Sequence, residues 1–513
     1  MRTVYSSEGI REAERAHARE LVNGTLMQRA AFGLANRIIA IMGDRCGRVV
    51  GQRVVVLAGS GNNGGDALFA GARLAERGAK VCAILVGDRH HEDAGTALMR
   101  AGGTIITPLE AEEALCEAQV VLDGILGIGA RGSLGEPVLR LLEIANEVGA
   151  VRVAVDIPTG VHAETGEVAA AAFKADFTVT FAAEKPGLLT GPGKDCAGRV
   201  DVVDIGIGTS LGNPVARVCE RADAAGWLPA PGFDDHKYRR GVAGVAAGSR
   251  AYRGAALLCV GASLTGPTGM TAVLDRGDGV AELVIGQHPE VVRLDQPVSH
   301  VTAWACGPGF TGSDDDRDTV EALLRTDEPV ILDAGAITVL AGSEHLRTLV
   351  RTRAGATVLT PHEGEFLRLG GTFGSGRMAA AAELARSLDS VIILKGPGSI
   401  IAAPDGTCFI DEAGTPDLAT AGSGDVLAGC LTTLMASAQA RGALGSIEDT
   451  VAVAAAGCWL HGMAGRRAAG FGFATATGIV NALAQVVGEV TEVGRSPMKG
   501  DNWGMGYRSF DAR

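Results

Sequence analysis

The chain has 513 residues, of which 47% are hydrophobic and 20% charged, and its formal net charge is −13. At roughly 150 residues per domain, this length predicts more than one folded unit. The acidic excess opposes binding to DNA or RNA, and an aromatic share of 4% leaves few surfaces on which bases could stack. We therefore expect no nucleic-acid partner, and we expect any bound nucleotide to be held by backbone N–H groups, a few lysines and metal ions.

The amino terminus carries no signal for export. The first 20 residues are charged throughout, and no apolar run is long enough to span a bilayer. The ten cysteines contain no C-x-x-C pair, so they are expected to be reduced thiols of the core. These features predict a cytoplasmic protein without membrane contact, and we also expect a homo-oligomer.

Strand-like and helix-like segments alternate along the first half of the chain. Ser6 or Ser7 can cap an opening helix, and a second amphipathic segment follows from Thr25 to about Ala40. Further helical patterns cover 67–77 and 137–148. This alternation predicts a Rossmann-like, doubly wound parallel sheet whose ligand site lies at the carboxyl ends of its strands. The predicted strands, rich in Val, Ile, Leu or Thr, are 53–58, 80–86, 119–122, 151–157 and 177–181.

A second alternating series begins near Gly241, after a proline-containing stretch without clear periodicity. We therefore predict a first domain at 1–210, a linker at 211–235, a larger α/β domain at 236–490 and a tail at 491–513. A Gly/Ala-rich helix is expected after Gly424. The strands predicted for this second domain are 242–246, 301–305, 330–332, 357–359 and 391–394.

Three predicted strand ends of the first domain carry glycines and carboxylates. They are the segments 59–66 (GSGNNGGD), 123–129 (DGILGIG) and 156–160 (DIPTG). A glycine-rich turn before a helix lets backbone N–H groups approach a pyrophosphate, although a plain strand-to-helix turn is the alternative. Carboxylates at neighbouring strand ends can gather a cation and supply an acid/base group.

In this order the motifs resemble those of the NAD(P)H-hydrate epimerases, over roughly residues 1–210. The resemblance implies that Asp156 is the acid/base group for inversion at the hydrated ring carbon, and that Asn63, Asp123 and Thr159 hold a potassium ion. Lys185 is either an assisting group or an ordinary surface lysine. Gln28 departs from the family, which usually has Glu there. By resemblance, the hydrated dinucleotide is bound by Asn62, Asn63, Gly64, Gly65, Asp66, Gly127, Ile128, Gly129, Ala130, Arg131, Gly132, Ser133 and Asp156.

In the second half, the segment 421–425 (AGSGD) opens the Gly/Ala-rich helix. Unpaired N–H groups at that helix start suit the charge that develops on a transferred phosphoryl group, and Asp425 can accept the proton of an attacking hydroxyl. A simple helix cap at Ser423 or Asp425 is the alternative. Other polar or flexible segments follow predicted strands or precede the first one, at 236–241 (HKYRRG), 307–309 (GPG), 360–365 (TPHEGE) and 395–399 (KGPGS).

Together these segments resemble the ribokinase-like superfamily, and more closely its ADP/ATP-dependent NAD(P)H-hydrate dehydratases, over roughly 235–490. Magnesium is expected with the nucleotide, because the developing phosphate charge otherwise stays unscreened. Ser423 replaces the usual Thr and keeps the hydroxyl, and 332–336 (LDAGA) lacks a second Asp often seen there. By resemblance, the nucleotide is bound by Lys395, Gly396, Pro397, Gly398, Ser399 and Gly424, and the hydrated dinucleotide by Ala255, Gly309, His362 and the catalytic Asp425.

The two resemblances predict one bifunctional enzyme that repairs hydrated NADH and NADPH. The first half would interconvert the R and S hydrates, and the second would dehydrate the S form with ADP or ATP, giving NAD(P)H, phosphate and AMP or ADP. The alternative is a ribokinase-type small-molecule kinase with a non-catalytic amino-terminal binding domain. The products distinguish the two, because a kinase leaves a stable phosphoester. Asp66, Asp123 and Asp156 argue against a non-catalytic first half.

Overall fold

The computed structural model describes residues 1–87, 89–107, 110–129, 134–168, 170–298 and 300–494. Within these ranges the strands form one sheet of seven strands and one of eleven. No helix in the described ranges is both long and apolar enough to cross a membrane. Ala130, Arg131, Gly132 and Ser133, predicted to bind substrate, lie outside the described residues, as does most of the predicted tail.

The seven-stranded sheet is parallel and contains every strand predicted for the first domain. Its order is β4-β3-β2-β5-β6-β7-β8, so the chain changes direction across the sheet between β2 and β5. Ligands of such sheets bind at this switch point. The strands are β2 (Arg53–Ala58), β3 (Lys80–Leu85), β4 (Thr104–Ile106), β5 (Val120–Gly124), β6 (Val151–Val155), β7 (Phe177–Phe181) and β8 (Arg199–Val203).

Helices cover both faces of this sheet and bury two apolar clusters against it. Ser6 caps the first helix by accepting a hydrogen bond from the N–H of Gly9. The helices of the first half are α1 (Ser7–Ala16), α2 (Ala18–Val22), α3 (Thr25–Cys46), α4 (Asn62–Glu76), α5 (Glu92–Arg100), α6 (Ala111–Cys116), α7 (Glu136–Glu147) and α8 (Gly191–Ala197).

The eleven-stranded sheet has a parallel centre that contains the five strands predicted for the second domain. Antiparallel pairing begins beyond β16. The strands, in chain order, are β1 (Arg2–Val4), β9 (Ala216–Val218), β10 (Val242–Ala246), β11 (Met270–Leu274), β12 (Val292–Leu294), β13 (Ala303–Cys306), β14 (Val330–Leu332), β15 (Thr357–Leu359), β16 (Val391–Leu394), β17 (Ser399–Ala402) and β18 (Cys408–Asp411).

Helices again pack on both faces, around a core that includes the fully buried Trp304. A Cβ on Gly244 would lie 2.4 Å from the Trp304 ring, so β10 and β13 accommodate that ring only with glycine opposite. The helices are α9 (Arg221–Gly226), α10 (Arg253–Ser263), α11 (Val280–Gln287), α12 (Asp314–Leu324), α13 (Gly335–Ala341), α14 (Glu344–Thr352), α15 (Glu363–Arg368), α16 (Arg377–Leu388), α17 (Ser423–Ala440), α18 (Ile447–Ala469) and α19 (Ala476–Gly494).

The chain ends and the predicted linker differ from the sequence-based expectation. β1 pairs with β9, and β9 pairs with β18, so the amino terminus completes the edge of the second sheet. The segment 211–235 therefore holds a strand and helix α9, which packs against α18 and α19. Three-residue strands are too short to show a period of two, so the sequence resembles irregular chain there. The domain boundaries themselves stay a prediction.

Candidate functional sites

The glycine motif after β2 forms the first turn of α4 instead of a loop before it. Gly61 is the N-cap residue, and Asn62 to Asp66 are already helical. A Cβ on Gly64 would lie 2.1 Å from the carbonyl oxygen of Gly59. Glycine is therefore required for this turn to close against the strand end. The N–H groups that a helix start leaves unpaired lie here, where an anionic group can accept from them.

Asp123, Thr159 and Asn63 are brought together beside this turn. The Asp123 carboxylate accepts hydrogen bonds from the Thr159 N–H and hydroxyl, both at 2.7 Å. The Thr159 hydroxyl oxygen in turn accepts from the N–H of Leu126 at 3.1 Å. Asn63 donates its side-chain N–H to the Leu126 carbonyl at 3.0 Å, which leaves its amide oxygen available. One hydrogen-bonded chain thus links all three residues predicted to hold potassium.

The charge of Asp123 has no basic counterpart among the described residues. Burial raises its pKa to about 6, against the lowering effect of its hydrogen bonds from Thr159 and Ile125. A nearby cation would stabilise the ionised carboxylate. Carboxylate, hydroxyl and amide oxygens are hard donors that suit such an ion better than they suit zinc. The residues present therefore fit a potassium ion.

Asp156 forms a buried ion pair with Lys185. Lys185 is 1% exposed, and its Nζ donates to Asp156 Oδ1 at 2.6 Å, to the Thr180 hydroxyl at 2.7 Å and to the Phe181 carbonyl at 2.9 Å. Asp156 itself has a φ of +65°, a strained conformation for a residue with a side chain. Within the described residues all hydrogen bonds to its carboxylate end on Oδ1, so Oδ2 is available. Lys185 is therefore part of this site and is not a surface lysine.

A cavity of about 410 Å³ opens beside this pair and is lined by Asp66, Glu14, Asn62 and Phe181, among others. Asp66 Oδ1 is buried and lacks a hydrogen-bond partner in the described part of the chain. Burial, and then the charges of Asp156 and Glu14, raise the pKa of Asp66 well above its usual range. The pKa of Glu14 is also raised, by burial and by Asp156. Two carboxyl groups with raised pKa values, Asp66 and Glu14, therefore share one cavity.

In the second domain, Asp333, Thr360 and Lys395 meet directly after three neighbouring strands, β14, β15 and β16. Lys395 Nζ donates to Asp333 Oδ1 at 2.8 Å, and the Thr360 hydroxyl donates to the same oxygen at 2.6 Å. Burial acts to lower the pKa of Lys395, but the charges of Asp333 and other carboxylates outweigh it, so the pKa is raised. The lysine is therefore held as a cation at the carboxyl edge of the sheet.

Asp425 and Gly424 lie at the start of α17, beside this lysine. A Cβ on Gly424 would be 3.3 Å from Lys395 Nζ and 3.5 Å from Asp333 Oδ2. Burial, and then the charge of Asp333, raise the pKa of Asp425 to about 6, while Lys395 opposes the shift. The start of α17, the Lys395 ammonium group and the carboxylates of Asp333 and Asp425 thus lie close together. That arrangement can bind a phosphoryl group and accept a proton next to it.

The other residues predicted to bind dinucleotide follow three strands of the eleven-stranded sheet: Ala255 lies in α10 after β10, Gly309 after β13 and His362 after β15. A Cβ on Gly309 would be 2.8 Å from that of Ala255, so the α10 start and the turn after β13 touch. His362 is 54% exposed, and its Nδ1 accepts from the N–H groups of Gly364 and Glu365 as the cap of α15. His362 therefore has a structural role as the cap of α15, and its contact with a ligand stays a prediction.

Residues 395–399 form the turn that joins β16 to β17. Arg377 supports its start by donating to the Lys395 carbonyl at 3.0 Å. Gly396 and Pro397 are exposed, whereas Gly398 is buried. The Lys395 side chain therefore points to Asp333 and the start of α17, whereas the backbone of Gly396 and Pro397 is exposed at the outside of the turn.

Both halves match known proteins. Residues 23–187 match the family model of the YjeF-related protein N-terminus, and residues 243–482 match the model of NAD(P)H-hydrate dehydratase. A bifunctional NAD(P)H-hydrate repair enzyme of Mycobacterium tuberculosis is 41% identical over 441 residues, which are 85% of this chain and 90% of that protein. The chain belongs to the bifunctional NAD(P)H-hydrate repair enzymes.

Further relatives of this repair enzyme come from other bacteria. A bifunctional NAD(P)H-hydrate repair enzyme of Salinibacter ruber is 36% identical over 460 residues, covering 80% of this chain and 83% of that protein. A crystal structure of the ADP/ATP-dependent NAD(P)H-hydrate dehydratase of Bacillus subtilis, co-crystallised with ATP and Mg²⁺, is 27% identical and covers 54% of this chain and 99% of that chain, with a TM-score of 0.46. The family predicted from the motifs is thus confirmed by the family models and the full-length relatives.

Sequence reasoning missed several residues of the repair enzyme's two sites. Asp333 was noted only for the carboxylate that its segment lacks, although its place directly after a predicted strand was a usable signal. Glu14 gave no signal, because it reaches the cavity from α1. His461, on α18, was also missed; its Nε2 lies 3.2 Å from the Ser423 hydroxyl, and burial lowers its pKa to about 4. A neutral histidine therefore supports the first residue of α17.

Proposed function

We propose that this enzyme repairs hydrated NADH and NADPH. The first half interconverts the R and S hydrates, and the second half dehydrates the S form with ADP or ATP to give NAD(P)H, phosphate and AMP or ADP. The observation that carries the proposal is the presence, in one chain, of two acid/base centres of different construction. One borders a cavity lined by Asp66 and Glu14, and the other lies between a lysine and a helix start.

In the epimerase half, Asp66 and Asp156 divide the proton transfers. The hydroxyl on the ring carbon next to nitrogen leaves as water when an acid protonates it, while the nitrogen lone pair forms an iminium. Water then adds to the opposite face and loses a proton to a base. The raised pKa of Asp66 suits it to donate the first proton. Lys185 pairs with Asp156 through Oδ1, and the other oxygen of Asp156, Oδ2, is available to accept the second proton.

The size of the cavity is consistent with this assignment. A volume of about 410 Å³ suits one half of a dinucleotide better than a whole one. The hydrated nicotinamide ring would occupy the cavity beside Asp66. The pyrophosphate would then lie at the start of α4, where N–H groups are unpaired. Gly127 packs against the side chain of Asn63 in this region, so the predicted loop borders the same place.

A potassium ion would be held by the amide oxygen of Asn63, the carboxylate of Asp123 and the hydroxyl of Thr159. Such an ion supplies a fixed positive charge that balances Asp123 and favours anionic parts of the substrate nearby. Thr159 lies three residues after Asp156. An ion that holds the Thr159 side chain in place would therefore also fix the backbone next to Asp156, the proposed base. The structural support for the ion is the buried, unbalanced carboxylate.

In the dehydratase half, Asp425 removes the proton of the ring hydroxyl as that oxygen attacks the terminal phosphate of ADP or ATP, and the bond from that phosphorus to the bridging oxygen breaks, so that AMP or ADP leaves. Lys395 and the Gly424 N–H face the phosphoryl oxygens on which charge develops. A magnesium ion would supply further charge neutralisation on the nucleotide, and Asp333, whose Oδ2 would lie 3.5 Å from a Cβ on Gly424, offers a carboxylate oxygen that could hold it. Loss of phosphate from one ring carbon and of a proton from its neighbour then restores the reduced nicotinamide, and the proton leaves with the phosphate as hydrogen phosphate.

A mixture of both hydrates with ADP tests the whole proposal in the full-length enzyme. The wild type should convert all of it to NAD(P)H, whereas Asp156→Ala should stop rapidly at about half, with the R hydrate left. Asp425→Asn should interconvert the hydrates without releasing phosphate. A stable phosphoester in place of NAD(P)H and phosphate would instead identify a kinase. The homo-oligomeric state and the cytoplasmic location stay predictions.

A further inference from the structure

The turn 395–399 of the second domain is in direct contact with the first domain. The N–H of Gly191 donates to the Pro397 carbonyl at 2.9 Å. The buried hydroxyl of Thr190 donates to the Gly398 carbonyl at 3.2 Å. These two bonds join consecutive residues of one domain to consecutive residues of the other.

The conformation of Gly398 depends on the same contact. Its φ is +62°, and a Cβ there would lie 1.9 Å from the carbonyl oxygen of Leu189. The backbone of the first domain thus occupies the space that any side chain at this position would need. Gly396 and Pro397 are exposed, so the turn is held by the first domain at Gly398 and at the Pro397 carbonyl and is still accessible to solvent.

Neighbouring contacts keep the two surfaces together without touching the turn. Lys194 Nζ donates to the carbonyls of Glu412 and Gly414 at 3.2 and 3.4 Å, beyond β18. Its pKa is lowered, because burial outweighs the charges of Asp411 and Glu412. The interface therefore has one part that holds the turn and another part that only joins the domains.

We propose that Thr190 and Gly191 are positioning residues for the adenine nucleotide of the dehydratase, because they hold the turn 395–399 in its binding conformation. This inference rests on the proposed function, in which that turn binds ADP or ATP. A turn containing two glycines loses much conformational freedom when a ligand orders it. Support from the first domain removes part of that cost before the nucleotide arrives, so the fused partner raises nucleotide affinity.

Thr190→Val in the full-length enzyme tests the inference, since valine keeps the shape of threonine and removes the hydroxyl. The KM for ADP in dehydration should rise about fivefold, the change in an equilibrium that one net hydrogen bond represents. The kcat at saturating ADP should stay at the wild-type value, because Asp425 and Lys395 are untouched. Thr190→Ser, which keeps the hydroxyl, should restore the KM. An unchanged epimerase rate would show that the variant is folded.

Lys194→Met is the matched control, because it weakens the same interface away from the turn and should leave the KM for ADP unchanged. Hydrogen exchange in the wild type gives an independent measurement: ADP should slow exchange of the Gly191 amide. A wild-type KM in Thr190→Val, an equal rise in Lys194→Met, or Gly191 exchange that ignores ADP would overturn the inference. If dehydration by the wild type does not depend on ADP or ATP, the proposed function, on which this inference rests, is wrong.

Discussion

Replacing Asp425 with Asn should abolish most dehydration while preserving nucleotide binding. The amide keeps the shape of the carboxylate at the third position of α17 but cannot accept the hydroxyl proton. Loss of a general base lowers turnover by roughly 10²–10⁴-fold. Lys395 and the Gly424 N–H stay in place, so the KM for ADP should change little. Turnover near the wild-type rate would mean that Asp425 is only a helix residue.

The pKa of Asp425 predicts how strongly kcat should depend on pH. Burial and Asp333 raise this pKa from 3.8 to about 6. With that value, roughly nine tenths of the groups are ionised at pH 7 and roughly one tenth at pH 5, so kcat should fall about tenfold between them. An aspartate with its ordinary pKa would lose almost no activity over this range. Initial rates of NADH formation from the S hydrate at saturating ADP would measure the profile.

Asp333→Asn is the control that tests whether the fall in kcat at low pH, the acid limb of the profile, comes from the titration of Asp425. Removing the Asp333 charge removes a repulsion that raises the pKa of Asp425, and it leaves Lys395 to face Asp425 instead. The midpoint of the acid limb should therefore move to lower pH, whatever happens to the maximum rate. A midpoint that stays near pH 6 in this variant would show that the limb belongs to another group, and the reasoning about Asp425 would be refuted.

Other predictions concern the first half. Lys185→Met leaves Asp156 buried without its cation, so it should cost about 3–5 kcal/mol in denaturant unfolding and lower epimerisation, with dehydration of the S hydrate retained if the fold survives; a stability equal to the wild type would contradict the buried pair. Exchanging potassium for a bulky organic cation should slow epimerisation alone, and an unchanged rate would argue against the ion. Gly64→Ala should destabilise the chain by about 1–3 kcal/mol, because its Cβ would lie 2.1 Å from the Gly59 oxygen; wild-type thermal unfolding would show that this turn can shift.

Most central strands could be predicted because parallel strands covered on both faces have nearly continuous Val, Ile and Leu. β2, β14, β15 and β16 have the predicted bounds for this reason, and β7 and β10 also have them although Thr, Ala and Gly interrupt their apolar runs. The edge elements could not be predicted in the same way. β1 and β9 are three residues each, and their pairing joins positions more than 200 residues apart. Such pairing depends on the packing of both domains, which no local pattern encodes.

Site residues were predictable where a motif follows a strand, since the carboxyl ends of parallel strands share one edge. Asp123, Asp156 and Lys395 were located by this rule. Glu14 and His461 reach the sites from helices that are distant in sequence, and only the packed structure brings them there. The role of Lys185 was ambiguous because lysine is usually exposed, and its burial follows from the path of the chain after β7.

The two sites share one arrangement of charges despite their different folds. In each, a lysine bonds one oxygen of a carboxylate: Lys185 with Asp156, and Lys395 with Asp333. In each site, a second carboxyl group lies nearby, Asp66 in the first and Asp425 in the second, and burial raises its pKa. The charge of the paired carboxylate also acts on the second group: Asp156 raises the pKa of Asp66, and Asp333 raises the pKa of Asp425. Because both unpaired groups then hold their protons closer to neutral pH, each can exchange a proton with a substrate hydroxyl.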